Sequence, residues 1–304
     1  MSKKFISLRI PKLSWKDFFT LFKQTVVEFA SEKSLFHGAA LSYYTIFALV
    51  PILYLSIVSF GQFLGQEKML EIISNVLTDQ VGIKDVKGII DFLNEINFQK
   101  KNTVLQGVGI LVLLISSTAI LSSLKHSINE FYDIELVHET NKKLILATLI
   151  EKLLHILLLM VFGLIIILAY FAQIILLSFG DFLFQSLNEF HSIFEFLTMH
   201  ILPLFTNVVI FYFVFKYISD AFVPIKYALA GSLITSILLY LGQLLIKYYI
   251  THYFFAKDTG IAGTLLILLT WVYYTSQLIF FGAKFIAVYA KNTRNPLQVK
   301  NVLK

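Results

Sequence analysis

Six long apolar runs, at 41–64, 103–124, 153–179, 197–215, 227–246 and 261–283, constrain this chain more than any other feature. Each holds about 18 residues or more, enough for a helix to cross a hydrocarbon core of about 30 Å. Lipid offers no partner to a backbone N–H or C=O, so such runs must be helical. Only 14% of the residues are charged, where a soluble domain carries about a quarter. The expected fold is an all-α integral membrane protein with six transmembrane helices, an N-terminal interfacial helix and a short extracytoplasmic helical cap. One membrane domain accounts for all 304 residues. Residues 1–36 form its cytoplasmic or interfacial arm, and 66–102 its extracytoplasmic segment. The arm is charged throughout and lacks an apolar stretch before a small-residue cleavage site, so the first span is expected to act as an uncleaved anchor. The chain has no cysteine, which excludes disulfides, thiolate metal sites and cysteine nucleophiles.

The net charge of +6 is distributed by side. Lys3, Lys4, Arg9, Lys12, Lys16, Lys23 and Lys33 crowd the arm. Lys125, Lys142, Lys143 and Lys152 follow the second run, Lys216 and Lys226 lie between the fourth and fifth, and Lys291, Arg294, Lys300 and Lys304 end the chain. Between the third and fourth runs there is no Lys or Arg, and the connection between the fifth and sixth has only Lys257, with Lys247 just before it. This alternation predicts a multi-pass membrane protein with both termini on the cytoplasmic side. It also explains the basic balance by topology and by attraction to anionic lipid, so no nucleic-acid partner is expected.

Within the arm, Ser14 and Asp17 have the spacing of a capping box. Trp15, Phe18, Phe19, Phe22, Val26, Phe29 and Ala30 then recur at helical spacing among Lys16, Lys23 and Glu28. Such a helix either lies at the headgroup boundary or packs beneath the bundle. In 66–102, one stripe of Met69, Leu70, Ile73, Val76 and Leu77 and another of Val86, Ile89, Ile90, Leu93 and Ile96 flank Gly82. They read as two short helices that either gate a pathway or only stabilise the fold.

Chemistry of the hydrolytic kind has no constellation to work with. The seven histidines never pair at the spacing of a helical zinc site, and neither a phosphate-binding G-x-x-x-x-G-K-[ST] loop nor a G-x-S-x-G elbow occurs. No enzymatic activity, cofactor or metal is therefore expected. The polar residues inside the apolar runs say more. Pro51 interrupts the first run and is expected to bend it. Tyr43 and Tyr44 either line a cavity or belong to an interfacial aromatic belt. Gly109, Ser116 and Ser123 share one helix face, suited to close helix packing or to substrate contact. Thr270, Gln277 and Lys284 also recur every seven residues, with Tyr273 and Tyr274 beside them. Lys284 is either a pocket cation or an anchor that snorkels to the headgroups.

These residues carry a resemblance. His37 to Pro51, H-G-A-A-L-S-Y-Y-T-I-F-A-L-V-P, resembles the A-A-A-L-A-Y-Y-T-x-x-x-L-x-P signature of the YihY/BrkB family of inner-membrane proteins, once labelled ribonuclease BN. Ser127 to Tyr132 resembles the family's segment after span two. Gly260 to Gly263, Trp271 to Tyr274 and Gly282-Ala283-Lys284 resemble its Y-G-S-L…W-L-Y…G-A-E. Two departures stand out: Lys284 replaces the usual acid, and Thr259-Gly260-Ile261-Ala262 stands for Y-G-S-L. The resemblance implies a six-helix protein linked to envelope integrity. The expected function is a transporter or flippase of a lipid or amphiphilic anion, with Tyr43, Tyr44, Pro51, Thr270, Tyr274, Gln277 and Lys284 as candidate pathway residues. The alternative is a non-transporting scaffold for envelope assembly. Membrane lipids are the expected partners, and a homo-oligomer is compatible with the chain.

Overall fold

The structure, a computed structural model, describes residues 15–31, 34–76, 103–134, 171–180, 188–253 and 260–299, with isolated positions at 78, 86, 90–91 and between 157 and 169. These residues are almost entirely helical. In chain order the helices are α1 (Trp15–Ser31), α2 (Ser34–Leu64), α3 (Gln66–Val76) and α4 (Thr103–Phe131), then α5 (Phe171–Gly180). A rod over 188–218, α6, is followed by α7 (Ile225–Tyr253) and α8 (Gly260–Asn292).

Among the described residues, three stretches have the length and apolar composition to cross a membrane: His191–Ile218, Ile225–Ile246 and Leu265–Asn292. They correspond to the fourth, fifth and sixth expected spans. The first and second expected spans fall on α2 and α4, which are 31 and 29 residues long. At about 1.5 Å per residue both exceed the hydrocarbon thickness. Only the end of the third expected span, on α5, is described as a continuous helix. Helix boundaries differ from the apolar runs in one direction. α2 begins before its run, and α8 continues past it to Asn292. Burial sustains the α8 extension, since every residue from Phe280 to Ala290 is buried.

Pro51 does not end α2, which is helical on both sides of it from Ser34 to Leu64. The turn from α2 into α3 needs a left-handed residue, and Gly65 supplies it with φ +86°. α3 then folds back on α2. Its Met69 and Ile73 are buried with Ile57 of α2 and Ile267 and Leu268 of α8. α3 falls where the first half of the cap is expected. Most of the second half, like Ser14 of the expected capping box, lies outside the described residues.

The α6 rod contains two π turns, Leu197–Ile201 and Val214–Ile218. Pro203 follows the first. It has no N–H to offer the carbonyl four residues earlier, and a widened turn absorbs that loss. α8 packs against α1, α2, α4 and α7, while α6 packs on α7. Small residues bring α7 and α8 together. A Cβ on Gly282 would strike Thr235 and the Phe215 ring, one on Gly231 would strike Ile286, and one on Gly242 would strike the Tyr274 ring. Helices in lipid gain from such close approach because dispersion, not water exclusion, holds them.

The N-terminus of α2, the C-termini of α4 and α8, the α6–α7 connection and α1 all meet at one end of the bundle. A short antiparallel pairing of Ala221–Phe222 with Gln298–Val299 ties the connection to the tail. These are the Lys- and Arg-rich segments, so the structure gathers at one end what the charge pattern assigns to one side.

Candidate functional site

The polar groups at that end form a connected hub around the last turn of α4. Two helix ends there stop in the same way. Asp133 has φ 55° and Arg294 has φ 54°. The N–H after each reaches back to the carbonyl five residues earlier, Ile134 to Asn129 at 3.1 Å and Asn295 to Ala290 at 3.0 Å. This left-handed stop tolerates Asp well, because its side chain is short.

The turn places the Asp133 carboxylate 2.6 Å from Lys291 Nζ and 3.3 Å from Lys284 Nζ. Glu28 of α1 lies 3.5 Å from Lys284 Nζ and 3.8 Å from Lys291 Nζ. Two lysines one heptad apart on α8 therefore share two carboxylates from two other helices. The Lys284 side chain is only 3% exposed, against 47% for Lys291. A buried ammonium needs such partners. Burial by itself would raise the Asp133 carboxyl, but the Lys291 hydrogen bond and the charges of Lys284 and Lys291 outweigh it. The carboxyl is held below its ordinary value. α1 is further tied by Asn292, whose side chain donates to Gln24 at 2.9 Å, while Gln24 donates to Glu28 at 2.9 Å.

On the other side of α4, His37 of α2 bridges two groups. Ser127 donates its hydroxyl to the Ser123 carbonyl at 2.9 Å, which leaves its oxygen to accept from His37 Nδ1 at 2.9 Å. His37 Nε2 lies 3.1 Å from Glu130, so both ring nitrogens face acceptors. Phe131 and Phe280 pack edge-on against the ring. A third arm reaches the α6–α7 connection. Buried Asn129 donates to the Asp220 carboxylate at 2.8 Å and accepts from its N–H at 2.9 Å, and Lys125 pairs with the same carboxylate at 2.8 Å. Tyr132 donates to the Phe215 carbonyl, inside the second π turn, at 3.2 Å.

The candidate pathway residues are not brought to one place. Gln277 donates to the Ser34 carbonyl at 3.0 Å and fits over Gly38, so it closes the α2–α8 contact. Tyr274 turns to the other side of α8 and covers Gly242 of α7. Thr270 is exposed and its hydroxyl returns to the Leu266 carbonyl. Tyr43 and Tyr44 are exposed on α2, with Tyr43 packed on Phe47. Pro51 lies within helical backbone. Ser116 of the second expected stripe is buried, in line with a packing face.

The Lys284 side chain lies inside the bundle, where α1 and the end of α4 meet α8. Its ammonium is enclosed by carboxylates and does not extend to the surface. The roles of Glu28 and Asp133 were not visible in sequence, since their partners lie 256 and 151 positions away along the chain. The polar run 125–133 marks this helix end in the sequence, but a solvated end carries the same residue types. Among the described residues, no group of three or more His, Asp or Glu side chains is placed to hold a metal ion.

A bundle of long apolar helices locked at one end by buried polar contacts defines a polytopic membrane protein. Within that class, the family model for virulence factor BrkB matches residues 25–302, and the chain belongs to that family. No curated protein and no solved structure matches the chain.

Proposed function

We propose that this protein is a transporter or flippase-like protein of the bacterial inner membrane that acts on a lipid or an amphiphilic anion. The observation that supports the reading is Lys284. An ammonium enclosed in a membrane bundle is costly to maintain and marks function more often than packing. Here it shares two carboxylates with Lys291, which is partly open. An anionic headgroup can take the place of either carboxylate on this lysine pair, the displaced carboxylate turning to the water that both already reach. The six-span topology, the cytoplasmic termini and the absence of catalysis belong to the same reading.

A second reading, a scaffold for envelope assembly, draws on a different observation. Gln277 and Tyr274 are both committed to helix contacts, and the α7–α8 seam closes over glycines. A scaffold of this kind needs rigid packing and no pathway.

The test is reconstitution into liposomes carrying a fluorescent anionic phospholipid, read by how much of it a membrane-impermeant quencher reaches. Transport predicts protein-dependent movement that Lys284→Arg keeps in part and Lys284→Gln abolishes, with Gln24→Ala as a control at the same helix contact. Absence of movement in the folded wild-type protein excludes the transport reading for that lipid class. Movement unchanged in folded Lys284→Gln removes Lys284 from the pathway.

A further inference from the structure

α1 is two-faced. Its packed face carries Phe18, Phe22 and Phe29, whose rings meet Phe285 and Phe281 of α8 at 5.4–6.4 Å. Buried Leu21 and Thr25 complete that face. Opposite lies an exposed face of Phe19, Val26 and Ala30 with Lys16 and Lys23. Phe19 is 65% and Val26 44% exposed.

The contacts orient this helix against the bundle axis. Phe22 and Phe29 touch Phe281, inside the membrane-crossing stretch of α8 and well short of its end at Asn292. Gln24 and Glu28 touch Asn292 and Lys291, at the far end of α8. Successive residues turn by about 100° around a helix. Moving around α1 from Phe22, the order is Val26, Phe19 and Ala30, then Lys23 and Lys16, then Val27, which is exposed, then Thr20 and Ser31, and finally Gln24, Asp17 and Glu28. Apart from Val27, which lies just beyond the lysines, the apolar residues continue from the membrane-ward side, the lysines follow as a band, and the acidic residues fall on the side away from the membrane. Hydrophobic, basic and acidic groups are sorted in the order of increasing distance from a negatively charged lipid surface.

We propose that this outer face of α1 docks on the anionic headgroups of the leaflet at its own end of the bundle. Phe19, Val26 and Ala30 enter the headgroup–acyl boundary, and Lys16 and Lys23 meet the phosphates. The proposal does not depend on the transport reading, since either a transporter or a scaffold can carry such a helix.

The cysteine-free chain allows a single nitroxide label to be placed without other changes. Val26→Cys, Ala30→Cys and Thr20→Cys full-length proteins are labelled and reconstituted in phosphatidylcholine vesicles with or without phosphatidylglycerol. Collision with oxygen is compared with collision with a water-soluble nickel chelate. The labels at Val26 and Ala30 should favour oxygen, several-fold over the label at Thr20, and more so with phosphatidylglycerol. Adding Lys16→Gln and Lys23→Gln should remove the phosphatidylglycerol-dependent part. Nickel access at Val26 and Ala30 equal to that at Thr20 in both lipids overturns the docking. Insertion that ignores both phosphatidylglycerol and the lysine substitutions overturns the anionic partner.

Discussion

The two halves of α8 are built from similar residues and used in different ways. From Phe280 to Ala290 every residue is buried. That half is a pillar, enclosed by α1, α4 and α7, with a charged residue inside it. From Leu265 to Ile279 the burial is partial and falls mainly on faces toward α2 and α7. A helix buried all round normally reads as apolar all round. The lower half of α8 breaks that rule at Lys284 because Glu28 and Asp133 are delivered to it from two other helices. In the upper half Gln277 is received by the Ser34 carbonyl and Tyr274 covers Gly242, while Thr270 and Ser276 return to carbonyls of their own helix. The difference teaches that a polar stripe at heptad spacing is not one surface. Thr270, Gln277 and Lys284 share a face of α8, yet their partners are, respectively, their own helix, the start of α2, and a pair of carboxylates.

The largest effect is expected where the lower half is tightest. Gly282→Leu puts a side chain where Thr235 and Phe215 already sit. Backbone separation of α7 and α8 is the only relief, at a cost above the ~1–3 kcal/mol of ordinary overpacking. The expected outcome is loss of the monodisperse peak on detergent size exclusion. A normal peak would mean that the pillar is looser than its contacts indicate. Next comes Lys284→Gln, which leaves two carboxylates sharing one partly exposed lysine. The expected loss is about 2 kcal/mol, less than a fully enclosed pair suffers, because Glu28 and Asp133 reach water. The double variant Lys284→Gln with Asp133→Asn should recover part of it in a double-mutant cycle of thermal stability. Additive losses would show that Lys284 and Asp133 are not coupled.

In the upper half the same kind of substitution should cost less. Gly242→Ala meets only the Tyr274 ring, the far end of a side chain that can turn away. A loss of about 1 kcal/mol is expected, read as a small fall in melting temperature. A fall as large as that of Gly282→Leu would erase the distinction between the halves.

Much of the fold was legible because a membrane imposes simple rules. Apolar length marked α6, α7 and α8 as spans, and the Lys and Arg distribution anticipated which helix ends meet. The extension of α8 toward Asn292 was legible as well, since apart from Lys284 the apolar stretch continues to Ala290, and burial of Phe285 to Ala290 sustains it. The π turns of α6 were not, although Pro203 marks the first. The candidate site was legible only as residue types. Heptad spacing singled out Gln277 and Lys284, but their partners come from Ser34, Glu28 and Asp133, and no local pattern encodes those pairings. The Ser127–Tyr132 segment stands out in the sequence as a motif, but its contacts exist only in the fold. Its alternate side chains reach α2 through Ser127 and Glu130, and the α6–α7 connection through Asn129, while Tyr132 meets the second π turn.

The smallest effect, and the one that isolates the ionic hub from the packing around it, is its response to acid. Asp133 is held below its ordinary value of 3.8 because the Lys291 hydrogen bond and the two ammonium charges outweigh burial. In an acidic window the unfolded chain therefore binds a proton that the folded protein does not, so stability rises with pH there. The contribution is complete above the ordinary value and is lost as the pH falls below it, through the lowered folded value. Near neutrality it does not change with pH. Melting temperatures of the detergent-solubilised wild type and of Asp133→Asn should therefore differ by a constant amount at neutral pH and converge below about pH 4. Asp133 is 42% exposed, so water screens the pair and the converging difference is small. Curves that stay parallel into acid would mean that the charge on Asp133 contributes nothing beyond its shape. The lower half of α8 would then be held by packing alone, as the upper half is.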